Sequence, residues 1–192
     1  MGNSHSNSPG RPAAYAAPAY AGEDFRRQAQ QQNELCDAAF QKSRTCYEAG
    51  DHEGAKHYSL QGKEHARQRK VLNDKAAACT FASNNAGRSD TEVDLHGLSV
   101  AEAQAKVEQV ISSARSQAQG RRQPEPITFI VGQGRHSQGG QAKLKPAIAS
   151  LITRHNLRCT VGHPNSGCLY VEFVTAEERG WFHRLMDKCV IS

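Results

Sequence analysis

The 192-residue sequence contains no apolar run approaching the ~18 residues that a membrane helix requires, so a transmembrane reading has no support. Its six cysteines (Cys36, Cys46, Cys79, Cys159, Cys168 and Cys189) form no CxxC pair, which argues against a zinc ribbon. No secretory leader precedes them, so they read as reduced thiols and a cytoplasmic location is expected. Acidic residues are scarce in one stretch. Between Arg115 and Arg158 stand eight basic residues (Arg115, Arg121, Arg122, Arg135, Lys143, Lys145, Arg154 and Arg158) against the single acid Glu125. The formal net charge of +5 is mild, but this one-sided run suits a polyanion such as RNA or DNA. A merely solvated basic face is the plainer alternative. Length and a hydrophobic content of 38% point to one or two small soluble domains, with parts of the chain weakly packed.

Residues 1–22 are rich in Ser, Asn, Pro, Gly and Ala and read as a disordered tail. The tail opens Met1–Gly2–Asn3–Ser4–His5–Ser6, the M-G-x-x-x-S pattern that makes Gly2 a lipidation candidate for myristoylation. One such chain gives only weak, reversible membrane contact, and no nearby cysteine or polybasic patch reinforces it. Residues 23–86 read as a long helical hairpin. Phe25, Ala29, Cys36, Phe40 and Tyr47 form one apolar stripe, Gly50–Asp51 breaks the run, and Ala55, Tyr58, Gly62, Ala66, Leu72, Ala76 and Cys79 continue it.

Residues 87–91 form a short linker, and residues 92–176 a compact α/β domain. Strands are expected at Glu92–Leu95, Ile127–Val131, Thr160–Gly162 and Cys168–Val174. One helix opens with the capping box Ser99–Glu102, and a second runs from Lys143 to His155 with Pro146 in its first turn. The order is β-α-β-α-β-β, with the early strands parallel because helices join them. An amphipathic helix at residues 177–192, bearing Trp181, Phe182, Leu185 and Met186, should pack on this domain.

Two strand ends carry the chemistry. Val93–Asp94–Leu95–His96–Gly97–Leu98 runs into a glycine turn, and Ile130–Val131–Gly132–Gln133–Gly134–Arg135–His136–Ser137 runs into another. Ligands bind at the carboxyl ends of parallel strands in open α/β sheets. Asp94 and His96 are two apart, so in a continuing strand they share a face, where the carboxylate can fix the imidazole tautomer. That arrangement suits proton transfer, although both groups could instead satisfy the turn. Amides of the second loop, Gly132, Gln133 and Gly134 with Ser137, can cradle a phosphate. Arg135 and His136 are the charged members there, and Arg121, Arg122, Lys143 and Lys145 are candidate phosphate contacts. His96, His136 and His163 lack a metal-ligand spacing, so no metal site is assigned and no cofactor is expected, with a divalent metal left open.

Asp94–Leu98 and Gly132–Ser137 closely resemble the D-L-H-G-L strand end and G-x-G-x-H-S loop of the Smr (small MutS-related) family, over roughly Glu92 to Val174. The hairpin, with Gly50–Asp51 and Asn84–Asn85, resembles the helical domain of unknown function that precedes Smr domains in many eukaryotic members. The resemblance implies a nucleic-acid endonuclease, with RNA favoured, acting in RNA surveillance or decay. A DNA-nicking nuclease and a non-catalytic binding or adaptor module are the alternatives. It implies Asp94, His96, Arg135 and His136 as catalytic residues, and a loop-shaping role for the Asn165–Gly167 turn. One position departs from the family: Gln133 stands where many nuclease-active members have Arg or Lys between the glycines. The hairpin is a second candidate working part, docking a protein partner such as a ribosome-associated factor.

Overall fold

The computed structural model describes residues 19–118, 123–133 and 143–174. Two long helices come first, α1 (Ala19–Glu48) and α2 (His52–Asn84). The joint between them is built by Asp51, whose side chain caps α2 by accepting from the Gly54 amide at 2.8 Å. Helix α1 begins inside the segment expected to be a tail, because Gly22 is buried against Ala76, Cys79 and Thr80 of α2.

The hairpin seam is made of small residues: Ala29, Cys36 and Ala39 of α1 meet Ala55, Gly62 and Ala76 of α2. Gln32 bonds His65 at 2.8 Å across it, and Ser43 donates to the Ala55 carbonyl at 2.7 Å. The expected stripe is therefore only half right. Phe40 and Tyr47 are exposed, because the helices approach too closely to admit them, and the Phe40 ring lies at the rim beside Gly62.

Four strands follow with two helices among them: β1 (Glu92–Asp94), α3 (Val100–Gln117), β2 (Ile127–Ile130), α4 (Leu144–Arg154), β3 (Arg158–Val161) and β4 (Cys168–Glu172). The β-α-β-α-β-β order is the one expected, and the strands join one mixed sheet in the order β1-β2-β4-β3. Strands β1 and β2 are parallel, with Asp94 opposite Ile130. Strand β4 runs antiparallel to both neighbours, so the last strand is inserted between β2 and β3. Strand β3 starts at Arg158, two residues earlier than expected, where Arg158 faces Glu172 of β4 and ion-pairs with it at 3.6 Å.

The capping box forms as read: Glu102 N–H bonds Ser99 Oγ at 3.4 Å and Ser99 N–H bonds Glu102 Oε2 at 2.9 Å. Ala103, Val107 and Ile111 of α3, with Ile148, Leu151 and Ile152 of α4, bury against Leu95, Phe129, Leu169 and Val171 of the sheet and the turn after β1. Pro146 is tolerated because an amide in the first turn of α4 would have no partner within the helix. Ala77 of α2 belongs to the same core and Phe81 packs on it, so hairpin and sheet share apolar contacts. The helix expected at 177–192 lies outside the described residues.

Candidate nucleic-acid site

The site forms where β1 and β2 end side by side. Leu95 N–H donates to Ile130 O at 2.8 Å, which carries the parallel pairing one residue past each strand. Neighbouring strands lie about 4.8 Å apart, so His96 emerges beside the start of the glycine loop. The chain turns after His96 through Gly97, whose φ of +77° lies in the region that glycine adopts without steric penalty, and Leu98 N–H closes the turn on Leu95 O at 3.3 Å.

Asp94 is 3% exposed, the one buried charged residue of the described chain. An unpartnered carboxylate there would be strongly unfavourable, and this one is surrounded by donors. Its Oδ1 accepts from the His96 amide at 3.0 Å and from His96 Nδ1 at 2.6 Å, and its Oδ2 accepts from Arg88 Nη2 at 3.1 Å. A carboxylate held opposite a guanidinium is the acceptor in each of these bonds, so Nδ1 of His96 carries a proton. The imidazole then presents Nε2 as its free lone pair whenever the ring is neutral. The His96 side chain is 59% exposed, so that nitrogen is open to a substrate. An oriented imidazole with an exposed basic nitrogen can take a proton from a hydroxyl.

The second loop is anchored from below. Val131 and Gly132 N–H both donate to Gly167 O, at 2.8 and 3.1 Å. Gly132 has φ +70° and shapes the turn. Its amide is thus engaged with Gly167, so the expected phosphate cradle does not include the Gly132 amide. The 163–167 turn is shaped by Asn165, whose Oδ1 accepts from Gly167 N–H at 2.9 Å.

Gln133 donates to Ser166 Oγ at 2.7 Å, and Lys145 of α4 reaches the Ser166 carbonyl. An ammonium therefore sits beside the loop even though Gln133 has no charge. Gly134, Arg135, His136 and Ser137 lie outside the described residues, as do Arg121, Arg122 and Gly2. Among the described residues no three His, Cys, Asp or Glu side chains gather as a metal site.

The described members of the basic run do not form one face. Successive elements carry the chain from one end of the sheet to the other. Lys143 and Lys145 stand at the start of α4, next to the loop. Arg154 is in the last turn of α4, at the opposite end, where Arg115 donates to His155 O at 3.0 Å and Arg158 pairs with Glu172. Arg115 and Arg158 thus have structural partners away from His96.

Two site residues were not singled out for chemistry in the sequence: Asn85, noted only as half of an N-N pair, and Arg88, placed in the linker. Asn85 bonds the backbone of Asp94 and Arg88 bonds its carboxylate. The N-N pair was their only sequence signal.

The chain is similar to known proteins in both of its parts. Residues 23–85 match the family model "Domain of unknown function (DUF1771)", and residues 93–174 match the Smr domain model. Endonuclease NBR9 of Saccharomyces cerevisiae is 36% identical over 148 residues, covering 77% of this chain and 60% of that protein. An Smr domain-containing protein of Schizosaccharomyces pombe is 30% identical over 154 residues, covering 80% of this chain and 72% of its own length. The chain therefore spans three fifths to about seven tenths of these relatives. The solution structure of the B3BP Smr domain is 32% identical, covers 55% of this chain and 99% of its own, and superposes with a TM-score of 0.42.

Proposed function

Since this chain belongs to the Smr domain family and carries an Smr module of the nucleic-acid-binding or nuclease kind, we propose that it is an RNA endonuclease whose proton carrier is His96. The observation that carries the reading is the 2.6 Å bond from His96 Nδ1 to the buried Asp94, with the ring's other nitrogen open to solvent.

The proposed reaction uses this chain, its RNA substrate and water. His96 Nε2 takes the proton of a ribose 2′-OH, and the 2′-oxygen attacks the adjacent phosphorus. The bond from phosphorus to the 5′-oxygen breaks, that oxygen takes a proton from water, and the hydroxide left behind takes the proton held on His96, which restores the neutral ring. The products are a 2′,3′-cyclic phosphate and a 5′-hydroxyl end. Asp94 holds the tautomer and stabilises the imidazolium that forms. Lys145 places positive charge beside the loop, and Arg135, His136 or the loop amides stabilise the charged phosphorane in this proposal. The endonuclease name of the yeast relative supports the reading.

The decisive experiment incubates the purified chain with labelled single-stranded RNA and with DNA of the same sequence, each with and without EDTA. RNA should be cut to cyclic-phosphate ends in both conditions and DNA should stay intact, because deoxyribose lacks the nucleophile. His96→Ala should lose about 10²–10⁴ in rate while RNA affinity is kept. Cleaved DNA, or RNA cut only when metal is present, refutes the mechanism.

The neutral Gln133 favours a second reading, in which the same surface binds RNA without cleaving it. Tight binding with no product under either condition selects that one.

A further inference from the structure

The hairpin does more than precede the sheet domain: its last turn reaches the reacting pair. Among the described strands β1 is an edge strand, with β2 on one side only. At its open edge stands the side chain of Asn85, the residue that closes α2. Asn85 Oδ1 accepts from Asp94 N–H at 2.7 Å, and Asn85 Nδ2 donates to Asp94 O at 2.9 Å. One carboxamide thus serves both backbone groups of one residue, as a neighbouring strand would. Nδ2 also donates to Phe81 O at 2.8 Å. The amide therefore faces one donor on its oxygen side and two carbonyls on its nitrogen side, and a flipped amide would fit neither. Asn84, one residue before, donates to His96 O at 2.8 Å.

The carboxylate is held from the same segment. Arg88 lies three residues after Asn85. Its Nε donates to Asn84 O at 2.8 Å, its Nη1 is paired with Glu92, and its Nη2 donates to Asp94 Oδ2 at 3.1 Å. A planar guanidinium tied at Nε and Nη1 has its third nitrogen, Nη2, fixed in place toward Asp94. Backbone and side chain of Asp94 are thereby fixed by α2 and the turn after it, and Oδ1 is left aimed at His96.

We infer that Asn85 and Arg88 are positioning residues for the Asp94–His96 pair, and that the helical hairpin is in this sense part of the catalytic unit. This rests on the reading of His96 as proton carrier. Neither residue touches the substrate; both act by fixing the carboxylate that orients the ring.

The test uses the full chain. Asn85→Ala and Arg88→Ala should each lower the single-turnover rate at saturating RNA by about 10- to 100-fold, the scale of a small misplacement of a catalytic group, with KM little changed. Arg88→Lys, which keeps the charge and loses the fork, should fall between Arg88→Ala and the wild type. Arg26→Ala breaks a different tie between hairpin and sheet, the Arg26–Glu102 pair, and should lower the melting temperature without slowing cleavage well below it. Equal slowing by Arg26→Ala would reduce the effect to general loosening and overturn the inference.

A second readout does not need activity: the imidazole nitrogen spectrum of His96. The wild type should show the Nδ1–H form, and that signal should weaken in Asn85→Ala and Arg88→Ala. If it is unchanged in both, the inference fails whether or not the chain cleaves RNA. If the chain proves inactive but the signal shifts as stated, the positioning stands and the nuclease reading falls.

Discussion

Replacing Asp94 by Asn keeps the shape of a buried side chain and removes its charge. In one orientation the amide oxygen still accepts from His96, but the amide nitrogen then faces Arg88 Nη2, donor against donor. In the other, the amide nitrogen faces His96, the ring must protonate Nε2, and the base is lost. Neither orientation serves all three bonds that Asp94 accepts now. Hydrogen bonds to charged groups contribute about 1.5–3 kcal/mol each, and breaking a buried pair costs more than breaking an exposed one. The Arg88 side chain is 34% exposed, so its share is screened by solvent. The expected loss is about 2–4 kcal/mol, a fall of roughly 5–15 °C in melting temperature for a chain of this size. Cleavage of labelled RNA, measured where the variant is still folded, should slow by about 10²–10⁴, and RNA affinity should change less than threefold. An Asp94→Asn protein that melts within about 1 °C of the wild type would show that these bonds contribute almost nothing. One that cleaves at the wild-type rate would show that the tautomer is not set by Asp94.

Lys143→Ala with Lys145→Ala should weaken RNA binding, each lost phosphate contact lowering the log–log salt slope by about 0.7 in a titration of affinity against salt. The Arg115→Ala and Arg154→Ala pair, at the other end of the sheet, should leave that slope unchanged; an equal change from both pairs would contradict the division of the basic run. Adding Gln133→Arg to Lys145→Ala should restore most of the lost cleavage rate if the loop needs one nearby cation, and no recovery would argue against that exchange. Burial alone would push the Glu102 carboxyl up, but hydrogen bonds from Arg26 and Ser99 and the Arg26 charge outweigh it and hold it below the ordinary carboxylate value of 4.5. A depressed folded value means stability that is full above pH 4.5 and lost as pH falls through the folded value. Glu102→Gln should therefore flatten the acid limb of a melting-temperature-against-pH curve, and an unchanged limb would show that the pair does not couple folding to pH.

The sequence carried the Asp94–His96 pair because two residues spaced by two across a strand end have few other places to go. It carried the Ser99–Glu102 box because capping is local to one helical turn. It did not carry the path of β4, since chain order does not say between which strands a late strand inserts. The order of the basic run along the chain did not say where each charge would lie: among its described members, Lys143 and Lys145 stand at one end of the sheet and Arg115, Arg154 and Arg158 at the other. Arg88 was missed because it lies in a polar segment with Gly87, Ser89 and Asp90, where nothing marks one arginine as the partner of a carboxylate six residues on. Phe40 and Tyr47 were assigned to the hairpin seam by periodicity, which records which face a residue occupies but not how near the opposite helix comes.

The insertion of β4 bears on the order of assembly. Among the described strands β3 has β4 as its sole neighbour in the sheet, and the glycine loop hangs on Gly167, one residue before β4 begins. Until β4 has been made, β3 has no edge to join and the anchor of Val131 and Gly132 does not exist. At synthesis rates of ~5–20 residues per second, the stretch from Asp94 to Glu172 takes about 4–16 s. During that interval the hairpin can already grip Asp94, because Asn85 and Arg88 precede it, while the opposite half of the cleft has no support. The growing chain thus fixes its imidazole well before the glycine loop beside it is anchored, and the two halves of the site meet only when β4 takes its place between β2 and β3.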